Sequence, residues 1–327
     1  MAQPDGTYSQ YDATNINEDL EQVIYNISPY DVPFLSMLPK KKATNIRHEW
    51  NLDALAAAVT SNAVIEGDEA TLETSTATTR VSNISQIMDK TVVVTGTNRA
   101  VDHAGYSDVL AYQLTKRGRE LKRDTEATLL TNQASVLGDD TTARKLGSLN
   151  SWLTTNTVRG TGGADGGYAS TTGLTVAATD ATTTQLTAFT EAKLVQAQQA
   201  AYEAGGEPTK MFMAPVTKTV FVQFDGIAAL RSNINQGSTP AQIIGNAEVY
   251  QGPFGKLEVV VDRFQRNREV FLIDPEYVAL GQLRPMQQWA LSRTGDSEKR
   301  QMLHEVTLVV ENEAAHAVIA DLSTTTS

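Results

Sequence analysis

The sequence contains no cysteine in its 327 residues. Disulfides and thiolate metal sites are thereby excluded, and a reducing cytosolic origin fits. No apolar run reaches 18 residues, so no membrane-spanning helix is expected. The first 20 residues are polar and acidic and carry no export signal, which disfavours a threonine-rich secreted surface protein. Histidine is scarce, with four in all. His48 and His304 each precede a glutamate, but Leu52 and Leu308 stand where a zinc-protease helix needs its second histidine. Both lie in strand-like segments and read as ordinary strand histidines. Positive charge is also short. Against 38 acidic side chains there are 27 basic ones, a net charge of −11. Such a chain is a poor candidate for gripping phosphate backbones.

Signatures of catalysis are missing as well. Gly147-Ser148 is followed by Leu149-Asn150, so there is no nucleophile elbow. The glycine-rich stretch at 159–173, RGTGGADGGYASTTG, lacks the Gly-Lys-Ser/Thr ending of a phosphate loop. Asp165 stands where a dinucleotide fingerprint requires glycine. The stretch reads as a mobile surface loop. Carboxylates are plentiful, but sequence alone defends no pairing of them, so a hydrolase reading has no support. No catalytic residue, cofactor or metal is expected.

What is present is a 41% hydrophobic composition, enough for a sizeable core. Near the start, SPYDVPFLSMLPKKK places Pro29, Pro33 and Pro39 among Tyr30, Val32, Phe34, Leu35, Met37 and Leu38. The prolines argue against a regular helix and against an inner strand. The segment reads as an extended apolar strap that must lie on an apolar surface. Residues 45–52 alternate in strand period, and 78–97 suggests a second strand pair. Between them, 56–77 holds Glu66, Asp68, Glu69 and Glu73 and no base until Arg80. The whole of 45 to about 97 reads as a long two-stranded excursion with an acidic tip. A lone ribbon of this kind is barely stable in water, and the sequence offers it no local surface.

The clearest helix spans 107–137, with Ser107 as N-cap, a stripe of Leu110, Leu114, Leu121, Leu129 and Val136, and Gly138 as the stop. Gly118 in its middle marks a bend or a close contact. A second helix is expected from about Thr187 to Ala204, and a third from Pro215. The remainder is strands, closing with a hairpin of EVTLVV and HAVIADL joined through Glu311 to Ala315. The densest basic run, TKRGRELKR, carries Lys116, Arg117, Arg119, Lys122 and Arg123. Three readings stand for it: a nucleic-acid contact, a solvated helix face balanced by Glu120, Asp124 and Glu126, or a partner for the acidic tip of another subunit.

The order of parts, with three stretches in particular, carries a resemblance. VYQGPFGKLEVVVDRF, EVFLIDPEYVALGQLRPMQ and above all SRTGDSEKRQMLHEVTLVVENEAAHAVIADL resemble segments of the major capsid protein of tailed bacteriophages, the Hong Kong 97 fold. The resemblance covers nearly the whole chain. It implies an α+β capsid fold with an N-terminal arm at 1–44 and an extended loop at 45–100. It places a peripheral domain at 101–149 and 284–323 around the spine helix 107–137, an axial domain at 150–283, and a disordered tail at 324–327. It implies a structural role in the virion, with hexamers and pentamers enclosing double-stranded DNA without sequence-specific binding. Assembly would occur in the host bacterial cytoplasm, with portal and scaffolding or decoration proteins as partners and no membrane. The strap residues Tyr30 to Leu38 would lie on a neighbouring subunit. No crosslinking lysine–asparagine–glutamate trio can be placed. The short lead into the strap implies a separate scaffold or a prior cleavage. An encapsulin-like compartment shell is the alternative on the same fold.

Overall fold

The computed structural model describes residues 31–69, 75, 77–103, 105–224 and 248–323. The strap is not extended throughout. Its middle forms a one-turn helix, α1 (Pro33–Met37), with proline in the first turn. There the missing N–H costs nothing, because the first-turn donors have no partner inside a helix. The next residues form β1 (Lys40–Lys42), a short edge strand parallel to Leu280–Gln282. Three lysines on an edge suit a place where further pairing must be blocked.

The excursion begins as β2 (Arg47–Leu52), antiparallel to β3 (Thr79–Ile84). After Ser85 the chain enters β4 (Gln86–Thr95), which joins another sheet instead of folding back on β3. A short α2 (Gly96–Ala100) leads to the long helix α3 (Val109–Leu130). Asp108, not Ser107, caps it, accepting from the Leu110 N–H at 2.9 Å. The helix has 22 residues, about 33 Å at 1.5 Å per residue, and ends at Leu130 instead of 137. The polar run after it trades helical bonds for others. Asn132 brackets the main chain of Ala178, Gln133 N–H donates to Ser148 Oγ, and Ser135 and Thr175 exchange main-chain and side-chain bonds. Gly118 is a close contact: a Cβ there would stand 3.2 Å from Met302 Cε.

The glycine-rich stretch is a packed hairpin and no free loop. After β5 (Thr157–Val158) it forms β6 (Gly167–Ala169) and β7 (Leu174–Val176). Tyr168 in it stacks on Trp152 at 5.6 Å. Helix α4 (Glu191–Glu203) ends at Gly205, whose φ of 91° suits glycine. Then come β8 (Lys210–Met213), α5 (Pro215–Phe221), β9 (Val249–Gly252), β10 (Gly255–Val261) and β11 (Val270–Ile273). The chain closes with β12 (Val278–Ala290), β13 (Ser297–Val310) and β14 (Ala317–Ile319).

Two main sheets result. One has the order β1-β12-β13-β4, the other β5-β14-β11-β8-β10-β9. The expected closing hairpin does not form. Both edges of β13 are occupied, by β12 and β4. Strand β14 therefore crosses to the six-stranded sheet, between β11 and β5. The Asn156 carboxamide holds the crossing by donating to the carbonyls of Ala314 and His316. A single buried cluster joins Phe34, Leu121, Leu129, Phe212, Phe271, Val306, Leu308 and Val318, and so spans both sheets.

Asn83 sits where these parts meet. Its buried carboxamide donates to the carbonyls of Gly147 and Leu308 and accepts from the N–H groups of Gly147 and Ile84. Asn83→Ala strands these buried main-chain groups, so it is expected to cost about 3 kcal/mol, read as a lowered urea midpoint at unchanged slope.

Candidate assembly surfaces

The strap is docked on its own chain. Both oxygens of Glu126, on α3, accept the free N–H groups of α1: Phe34 at 2.7 Å and Leu35 at 2.6 Å. The Phe34 ring is fully buried and meets Phe212 edge-on at 5.4 Å. Leu38 is buried in the same cluster, with Leu35 and Met37 packed partly against it. The expectation that these side chains await a neighbouring subunit is corrected for Phe34 and Leu38, which complete the chain's own core. Their spacing on one turn of helix, set by the proline start, points both inward. Val32, Leu35 and Met37 remain half-buried. Tyr30, the rest of residues 1–30, Glu73 and the tail 324–327 lie outside the described residues. Lys41 pairs with Glu311.

The foot of the β2–β3 ribbon does have a local surface. Trp50 meets Trp152 at 5.3 Å, and Trp152 in turn carries Tyr168. The tip has none. Leu55 is 99% exposed, Val59 66%, Val64 85% and Ile65 79%. Glu66, Asp68 and Glu69 are exposed among them. Four aliphatic side chains held in water by one loop are the mark of a surface made for contact.

The basic run on α3 divides by function. Arg117 pairs with Glu120 at 2.6 Å, and Arg123 lies over the Phe264 ring at 5.9 Å. Asp124 pairs with Lys90 across to β4 at 2.6 Å. Lys116, Arg119 and Lys122 are exposed along one stripe of the helix. Among the described residues no ion pair joins the acidic tip to this stripe within the chain. Glu126, read from sequence as a balancing acid, instead holds α1.

Sequence reading also missed Asp262. It is fully buried after β10, within hydrogen-bonding reach of Glu126. Burial, then the contact with Asp262, pushes the Glu126 carboxyl up to about 8. An isolated buried acid has no periodic signal, and Glu126 sits in a helix full of charges. His304 in β13 and His316 just before β14 are buried, and burial lowers their pKa to about 4. Among the described residues no group of three metal-ligating side chains converges, and no helix is long and apolar enough to cross a membrane.

The chain as a whole is similar to known proteins. A family model for the SU10 major capsid protein matches residues 5–323. The chain belongs to this family. The major capsid protein of Escherichia phage Phieco32 is 28% identical to this capsid protein, covering 98% of this chain and 97% of that one. The solved cyanophage A-1(L) capsid asymmetric unit is similar in fold, with a TM-score of 0.63 at 13% identity over 96% of this chain and 99% of that chain. The holo-SrpI encapsulin complex of Synechococcus elongatus PCC 7942 shares the fold at a TM-score of 0.56 and 11% identity, over 95% and 94%. The protein is a phage major capsid protein with a Hong Kong 97-type α+β fold. Because Phe34 belongs to the subunit's own core, Phe34→Ala is expected to destabilise the unassembled subunit by about 4 kcal/mol in a denaturant titration. Val64→Ser, on the exposed tip, is expected to leave that midpoint unchanged.

Proposed function

We propose that this capsid protein assembles as hexamers and pentamers into an icosahedral head that encloses double-stranded DNA. The observation that carries this reading is the tip at 53–69, whose aliphatic side chains stand in water in the lone chain. On assembly they lie on a neighbouring subunit. The acids Glu66, Asp68, Glu69 and Glu73 then face the basic stripe of that neighbour's α3, where opposite charge sets register more than affinity. The half-buried Val32, Leu35 and Met37, with Tyr30 before them, extend the contact along the arm. The protein has no catalytic role. With a net charge of −11 its inner wall holds packaged DNA loosely and reads no sequence. Portal and scaffolding or decoration proteins complete the head in the host cytoplasm. The domain division follows the sequence reading: arm 1–44, extended loop 45–100, axial domain 150–283, and peripheral domain 101–149 with 284–323. Strand β14 is lent to the axial sheet.

Negative-stain microscopy of the expressed protein tests the reading: closed shells are expected, and a persistent monomer contradicts it. Particles filled with an enzyme instead of DNA favour the compartment reading that the encapsulin fold represents. Replacing Glu66, Asp68 and Glu69 together by lysine is expected to suppress shell formation, and adding Lys116→Glu and Lys122→Glu to restore it in part. Undiminished assembly of the triple lysine variant contradicts the charge-matched contact.

A further inference from the structure

The exposed stripe of α3 runs back from the place where α1 is held. Counting from Glu126, Lys122, Arg119 and Lys116 follow at intervals of four, three and three residues, a spacing that keeps side chains on one flank of a helix. Glu126 grips α1 at its N-terminal end, through the Phe34 and Leu35 N–H groups. The chain before α1 therefore leaves the body one helical turn from Lys122. Lys116 stands about 15 Å from Glu126 along the helix axis, at 1.5 Å per residue. The acids of α3 itself are committed elsewhere. Glu120 pairs with Arg117, Asp124 pairs with Lys90 on β4, and both Glu126 oxygens accept from α1. Among the described residues neither Lys116 nor Lys122 enters an ion pair.

The chain leading into α1 has the opposite charge. Residues 1–30 carry five acids, Asp5, Asp12, Glu18, Asp19 and Glu21, and no lysine or arginine. Three of these acids fall together at 18–21. From Phe34 back to Glu21 is 13 residues, an extended reach of up to about 44 Å, well beyond the length of the stripe. We propose that residues 1–30 dock on the basic stripe of their own α3 in the unassembled chain, with Glu18, Asp19 and Glu21 against Lys116 and Lys122. Tethering selects this occupant. An arm anchored at one end of the stripe presents its acids at a roughly millimolar effective concentration, whereas another chain arrives only at its bulk concentration. A nucleic acid is a poor fit to a chain of net charge −11. The arm thereby covers the stripe, and on the assembly reading the acidic tip of a neighbour has to displace it. That consequence rests on the assembly reading, while the contact within the chain does not.

Carbodiimide crosslinking tests the contact, because it joins a carboxylate to a lysine amine as an amide only where the two already touch. Full-length unassembled chains of natural isotope content and chains labelled with heavy nitrogen are mixed in equal parts, treated, and mapped by mass spectrometry of the linked peptides. Lys116 and Lys122 are expected to link to Glu18, Asp19 or Glu21 within one isotopic chain. Because salt screens exposed charges, the yield is expected to fall by about fivefold when the salt is raised from about 0.05 M to about 0.5 M. Exchanging the signs, with Lys116→Glu and Lys122→Glu combined with Glu18→Lys, Asp19→Lys and Glu21→Lys, is expected to give the same links with the roles of acid and amine reversed. Links from Lys116 or Lys122 to Glu66, Asp68 or Glu69 in place of the arm, links only between isotopically different chains, or no link to residues 1–30 overturn the proposal. So does a yield that salt leaves unchanged. Shell formation by the wild type is scored separately, so failure of the arm contact and failure of the assembly reading are distinct results.

Discussion

Strand β13 is the constraint on which the rest of the fold depends. It is paired on one side with β12 and on the other with β4, and its residues from Leu303 to Val310 are buried. Burying Val306, Leu308 and Val310 contributes about 2 kcal/mol each. Because both edges are taken, the chain beyond it must leave the sheet, and so the second sheet acquires β14. Because one face of β13 and β4 is apolar, α3 must lie on it, and Gly118 lets it lie close. The orientation of the spine helix, the two-sheet body and the position of Glu126 under α1 all follow.

The molecule divides its apolar surface between itself and others. Phe34 and Leu38 close the core, although they come from a segment that looks detachable. Leu55, Val59, Val64 and Ile65 are left in water, although each would contribute about 1.5–3 kcal/mol if buried. Such a subunit closes its own core and keeps further apolar surface whose burial by a neighbour would have to outweigh the cost of ordering a loop.

Much of this was legible in the sequence, and the failures have specific causes. The alternation in residues 45–52 and the apolar stripe from Leu110 to Leu129 report local structure directly, and both elements form where the period says. The end of α3 was misplaced because Val136 continues the stripe by chance. Bonds from Asn132, Gln133 and Ser135 to distant main chain override the local pattern there. The strap was misread because proline was weighed as a helix breaker, when at the first turn it starts one. The closing hairpin failed because adjacency in sequence says nothing about which sheet edges are already filled. For the site, exposure of the acidic tip was readable from its composition. The partnership of Glu126 with α1 and Asp262 was not, since it joins residues more than 90 positions apart.

The central claim is that the tip at 53–69 is bare in the lone subunit and covered in the assembled one. The absence of cysteine makes a direct measurement possible. A single Val64→Cys substitution places the only thiol on the tip, and its maleimide labelling rate can be followed before and after assembly. The account predicts rapid labelling of the free subunit and strong shielding in the particle. Equal labelling in both states, or a thiol already shielded in the free subunit, would contradict it.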